Sequence, residues 1–126
     1  MNLQSPLARV RGLGSAKQGV HHWWQQRLTA VALIPLGLWF IYSLATLPSY
    51  GQGTINEWIR DPMTAVLLIM FLLCLFHHSQ LGVQVVIEDY VESEWQKLAA
   101  LVLVKLLTLL AALTAIISVL KIFLGA

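Results

Sequence analysis

The chain is predicted to be an all-α integral membrane protein with three transmembrane helices, an N-terminus on the cytoplasmic side, and a place in a hetero-oligomeric helix bundle. Two features of composition and one of pattern lead there. Hydrophobic residues make up 58% of the 126 positions and charged residues only 11%, against roughly 25% charged in an ordinary soluble domain. Mean hydropathy is +0.73. The apolar residues fall into three long runs, and in lipid a backbone must satisfy its own hydrogen bonds, which only helices or closed barrels do.

The first run, Leu28 to Leu47 (LTAVALIPLGLWFIYSLATL), is long enough at about 1.5 Å per residue to cross a hydrocarbon core of roughly 30 Å. Pro35 lies inside it, which neighbouring helices make tolerable. The second run, Pro62 to Ile87, opens on a start signal: Asp61 as N-cap and Pro62 at the first helical position. The third, Leu98 to Leu124, is nearly all Leu, Ala, Val and Ile, and Ala111, Ala115 and Ser118 give it a small-residue stripe suited to close helix packing. Residues 19–126 thus form one three-helix domain with spans at about 28–47, 62–87 and 98–124. Residues 1–18, with Ser5, Gly12, Gly14 and Ser15, read as flexible or ordered by a partner. Basic and free of acids, this segment leads straight into a full-length span, so it is taken as mature structure rather than a cleaved signal.

Arg9, Arg11, Lys17 and Arg27 precede the first span, whereas only Arg60 lies in the loop after it. Positive residues stay on the cytoplasmic side, which puts the N-terminus there and the C-terminus across the membrane. The acids of the second loop, Glu88, Asp89, Glu92 and Glu94, count little in that rule. Lys105 and Lys121 can snorkel from the third helix. Trp23, Trp24, Trp39, Tyr42, Trp58 and Trp95 read as interfacial belts. A net charge of +2 gives no reason to expect a nucleic-acid partner. Cys74 stands alone in the second run and serves packing. No internal repeat is visible.

Chemistry concentrates in FHHSQLGVQVVIEDYV. His77 and His78 lie within the second apolar helix, on the order of 13 Å from its cytoplasmic end. Polar groups at such depth are costly and face a bundle interior or a functional path. A ligand and a hydrogen-bonded interhelical histidine are both open readings of this position. At 100° per residue, Gly82 lies about 40° and Asp89 about 20° round from His78, while His77 points about 100° away. A glycine one turn beyond a ligating histidine lets a flat macrocycle approach the backbone, and neutral imidazole is a common axial ligand of haem iron. The chain offers one such ligand, so a six-coordinate haem needs its second from another subunit. At the mouth of the helix, Asp89 and Tyr90 form a plausible pair for a quinone carbonyl: a phenol donates to the oxygen as charge develops, and a carboxylate orients the phenol or relays protons.

The spacing His78-x3-Gly82-x6-Asp89-Tyr90 in the second of three spans, with Gly19-Val20-His21 and Arg27-x-Thr29-Ala30 before and within the first, resembles the smaller cytochrome b membrane-anchor subunits of succinate dehydrogenase, the respiratory complex II. The resemblance covers about residues 19–124. It implies that His78 is the axial ligand of haem b, opposite a histidine of the second cytochrome b anchor subunit. It implies that Tyr90 bonds a ubiquinone carbonyl with Asp89 beside it, and that His21 and Arg27 lie near the haem propionates. The doubled pairs His21-His22 and His77-His78 depart from the pattern; spacing to Arg27 favours His21, and spacing to Gly82 and Asp89 favours His78. A flavoprotein subunit and an iron-sulfur subunit would dock on the cytoplasmic side of a bacterial inner membrane, passing two electrons from succinate to ubiquinone. The chain carries no flavin fingerprint and no cysteine run for a cluster, so it would not be catalytic alone. Two rival readings are a fumarate reductase anchor and a haem-free packing subunit in which His78 only bonds another helix.

Overall fold

The computed structural model describes residues 5–10 and 17–126. A five-residue helix, α1 (Pro6–Val10), is followed by α2 (Lys17–Ala45), α3 (Gln52–Arg60), α4 (Pro62–Tyr90) and α5 (Glu94–Leu124). Three of these, α2, α4 and α5, are long and apolar enough to cross a membrane, and no strand occurs among the described residues. The expectation that residues 1–18 are flexible or ordered by a partner falls largely outside the described residues; within it, Pro6–Val10 is helical.

All three long helices outrun the apolar segments that announced them. α2 begins at Lys17 rather than Leu28, α4 continues from Ile87 to Tyr90, and α5 begins at Glu94 rather than Leu98. Hydropathy marks where a helix can meet lipid, not where its hydrogen-bond ladder stops. The stretch from Val20 to Arg27 has no proline and nothing else that breaks a ladder, so the helix runs through it. At 29 residues, α2 measures about 43 Å, well beyond a hydrocarbon core of roughly 30 Å.

The ends that were read correctly have identifiable chemistry. Asp61 Oδ2 accepts from the Thr64 backbone N–H at 2.9 Å and from the Thr64 hydroxyl at 3.0 Å, while Pro62 occupies a position whose N–H would go unpaired anyway. Replacing Asp61 by alanine should cost about 1 kcal/mol, read as a lowered thermal midpoint in detergent with the secondary structure retained. At the far end α5 stops on Gly125 at φ +74°, with Gly125 N–H donating to Ile122 O at 3.1 Å and Ala126 N–H to Lys121 O at 2.9 Å. That pair of bonds is a Schellman stop, and its left-handed residue favours glycine.

The loop expected between the first two spans contains a helix. α3 places Ile55, Trp58 and Ile59 at i, i+3 and i+4, so one face is apolar, and that face lies on the start of α4 and the end of α5. Ile59 is buried with Ala65, Leu68 and Val119, and Trp39, Phe40 and Trp58 pack around them. Trp39 stacks on Trp58 with ring centroids 6.1 Å apart, and Phe40 on Phe71 at 4.9 Å. These two tryptophans therefore hold helices together rather than only lining an interface. Arg60 Nε donates to Ile122 O at 3.3 Å, tying α3 to the last turn of α5.

α4 is the central element, packed on both α2 and α5. In the most apolar 18-residue windows of α2, α4 and α5, only 11%, 11% and 0% of the residues are buried. So little internal burial leaves most of the apolar surface for lipid or for other helices. Only part of the small-residue stripe of α5 packs within the chain: Ala115 is half-buried one turn before the buried Val119, while Ala111 and Ser118 are exposed.

Candidate functional site

Because α2, α4 and α5 alternate in direction, one end of the bundle gathers the start of α2, the last turns of α4 and the start of α5. The polar residues singled out in the sequence lie at this end; the aromatic core built on α3 lies at the other.

His78 faces α2. Its Nδ1 lies 3.0 Å from Thr29 Oγ1, and Thr29 Oγ1 is also 2.7 Å from the Gln25 carbonyl and 3.1 Å from the Gln26 carbonyl. Thr29 shares a stripe of α2 with His22 and Gln26, which precede it by seven and three positions, about two turns and one turn of helix. His78 is half-buried, whereas His77 is exposed, so the helix turn of about 100° between them separates the doubled pair onto different surfaces.

Gly82 follows one turn beyond His78. A Cβ built there would meet only Gln26 Nε2, at 4.0 Å, an ordinary contact. The chain's own packing does not require a glycine, although one inside a helix costs about 1 kcal/mol relative to alanine. Two buried polar atoms, His22 Nε2 and Gln26 Oε1, both on the Thr29 stripe, have no hydrogen-bond partner. Such groups cost about 1–3 kcal/mol each when unsatisfied. An engaged imidazole, a glycine the fold does not need and unpartnered polar atoms together suit the edge of a planar, polar-edged group such as haem.

His77 belongs to a different surface. It lines an open groove of about 790 Å³ between α2 and α5, with His21, His22 and Gln25 from α2, Gln80, Leu81 and Gln84 from α4, and Lys105 from α5, so His22 borders both this groove and the Thr29 stripe. Gln25 Nε2 donates to His21 Nε2 at 2.8 Å. Arg27 is exposed and its guanidinium lies 5.5 Å from the centre of the Trp23 ring, a cation–π contact. Two residues before Thr29, it emerges about 160° round the helix from it. The structure thus brings Thr29 and Gly82 to the His78 face, lines the groove with His21 and turns Arg27 away.

Asp89 and Tyr90 remain helical at the end of α4 and are exposed, Tyr90 by 81%. Twelve positions past His78, Tyr90 lies about 18 Å along the helix from it. The nearest polar link is Gln84 Nε2 donating to Glu88 Oε1 at 2.9 Å. No group of three or more His, Cys, Asp or Glu side chains gathers among the described residues; a haem iron needs only single histidine ligands, not such a cluster.

Gln26 escaped the sequence reading, His22 entered it only as the disfavoured member of a doubled pair, and Thr29 only as part of a motif. Their spacing of four and three is a helical stripe, but three polar residues before and at the start of the first apolar run look like interface solvation until α4 is placed against them.

Comparison with known proteins agrees with the motif. A family described as succinate dehydrogenase/fumarate reductase transmembrane subunit matches residues 1–112. The succinate dehydrogenase hydrophobic membrane anchor subunit of Rickettsia bellii is 30% identical over 94% of each chain. Its counterpart in Rickettsia typhi is 29% identical over the same share of both. That of Paracoccus denitrificans is 28% identical, covering 79% of this chain and 77% of its own.

Proposed function

The chain belongs to the family of succinate dehydrogenase and fumarate reductase transmembrane subunits, and on that premise we propose that it is the hydrophobic anchor through which a succinate dehydrogenase holds haem b and reduces ubiquinone. The observation that carries the haem part is His78: a half-buried imidazole in an apolar helix, engaged through Nδ1 by a second helix and leaving Nε2 for iron. Haem b, when bound, supplies a one-electron carrier within the membrane. His78 would be its axial ligand from this chain, and a histidine of a second anchor subunit the other. Gly82 keeps the backbone open beside it, and His22 and Gln26 offer the unpartnered atoms.

For His21 and Arg27 the support is the motif. Both stand at the polar end of the bundle, where imidazole and guanidinium can pair with propionate carboxylates; His21 now bonds Gln25 and Arg27 rests on Trp23, contacts each would exchange for the charged ones.

Tyr90 would donate its phenolic proton to a ubiquinone carbonyl, with Asp89 orienting the phenol or relaying protons. Both are exposed, so the site needs a partner to close over it. The flavoprotein and iron-sulfur subunits would supply that cover, docking at the end where α2 begins and α4 ends. The basic residues before the first span put this end on the cytoplasmic side of a bacterial inner membrane. The relatives named above carry the succinate dehydrogenase name, which supports succinate oxidation over fumarate reduction as the direction of the assembled enzyme.

A tagged copy purified from membranes in mild detergent should bring with it a flavoprotein, an iron-sulfur protein and a second small anchor, and show a b-type band in a reduced-minus-oxidised spectrum. A chain that purifies without the two redox proteins would refute the anchor role. A complete complex without the band would refute the haem role and leave a packing subunit.

A further inference from the structure

Resting on the reading of His78 as a haem ligand, we propose that Thr29 is the positioning residue that fixes the tautomer of His78, holding its proton on Nδ1 so that Nε2 keeps a free lone pair. The argument is a count of hydrogens. Thr29 Oγ1 has three polar neighbours: the Gln25 carbonyl at 2.7 Å, the Gln26 carbonyl at 3.1 Å and His78 Nδ1 at 3.0 Å. A hydroxyl owns one proton. Carbonyl oxygens cannot donate, so each contact to them requires the proton of Thr29, and the shortest of the three takes it. Toward His78 the hydroxyl then presents only lone pairs, and the ring nitrogen must be the donor. A neutral imidazole has one N–H; with it on Nδ1, Nε2 is the acceptor.

The relay therefore runs His78 Nδ1–H to Thr29 Oγ1, and Thr29 O–H to the Gln25 carbonyl. Its far end is a backbone group within α2, which cannot rotate away. Each bond in such a chain polarises the next, so the ring becomes a stronger donor through Nε2 and its plane is fixed relative to α2. The position needs a fixed acceptor: a histidine in an apolar helix with Nδ1 unpaired could place its proton on Nε2 instead, the nitrogen a metal requires.

Thr29→Val keeps the branched shape and removes the hydroxyl, Thr29→Ser restores it, and His78→Ala removes the ligand. All three are compared in the intact, purified complex, with haem per complex, the midpoint potential and the ferric electron paramagnetic resonance spectrum as readouts. Thr29→Val should retain haem roughly 10- to 100-fold more weakly. Its potential should rise, because a weaker imidazole donor stabilises ferric iron less, and its ferric g-values should shift; Thr29→Ser should lie close to the parent. Thr29→Val matching the parent in all three while His78→Ala loses haem would overturn the role of Thr29 and leave His78 as ligand. Haem and spectra unchanged in His78→Ala would overturn both. Failure of Thr29→Ser to restore the Thr29→Val defect would assign the effect to the shape of the side chain and overturn the relay.

Discussion

Replacing His78 by alanine should strip the b-type signal from the assembled complex, to roughly a tenth or less of the parent's haem, while replacing His77 by alanine should leave it intact. The two residues are adjacent, equally apolar in sequence context and equally deep. What separates them is the surface each meets. His78 is half-buried against α2 with Thr29 on its Nδ1, whereas His77 is exposed in the groove that contains Lys105. Removing the His78 ring would delete the proposed haem ligand and leave the Thr29 hydroxyl still satisfied by the Gln25 carbonyl at 2.7 Å, so the helix pair itself would lose little. The complex should therefore still assemble, and haem per complex should report the ligand rather than the fold. A reduced-minus-oxidised spectrum of each variant checks it. The reverse pattern, with the signal lost in His77→Ala and kept in His78→Ala, would move the ligand to the groove and undo the assignment of the α2–α4 face.

Much of this was readable in advance wherever chemistry is local. Asp61 and Pro62 announced the start of α4, because a cap and a pre-set φ act over three residues. The turn of 100° per residue separated His78 from His77 before any packing was known. What stayed hidden depends on a neighbouring helix. Ile55, Trp58 and Ile59 had a helical spacing, yet α3 is nine residues long, too short to be stable without the α4 and α5 surfaces it covers. His22 and Gln26 look solvated until α4 leaves their Nε2 and Oε1 buried and unpartnered. Of the stripe Ala111, Ala115 and Ser118, only Ala115 is half-buried within the chain, one turn from the buried Val119, while Ala111 and Ser118 are exposed.

The second large effect is expected at the C-terminus of α4. Tyr90→Phe keeps the ring and removes the phenolic O–H; with the side chain 81% exposed, neither the helix nor its packing depends on that group. If the phenol donates to a ubiquinone carbonyl, it stabilises the oxygen as negative charge builds during reduction, and one such donor is worth on the order of 100-fold in turnover. The loss should appear only when ubiquinone is the acceptor. A dye that takes electrons directly from the flavoprotein should be reduced at the parent's rate, and the haem spectrum should be unchanged, since Tyr90 lies about 18 Å along the helix from His78. Asp89→Asn, which keeps a polar side chain beside the phenol but removes its charge, should lower the same rate by less. Dye reduction separates the site from the rest of the electron path: a fall in both rates would place the defect upstream of the quinone, and an unchanged ubiquinone reductase rate in Tyr90→Phe would remove the phenol from the reaction.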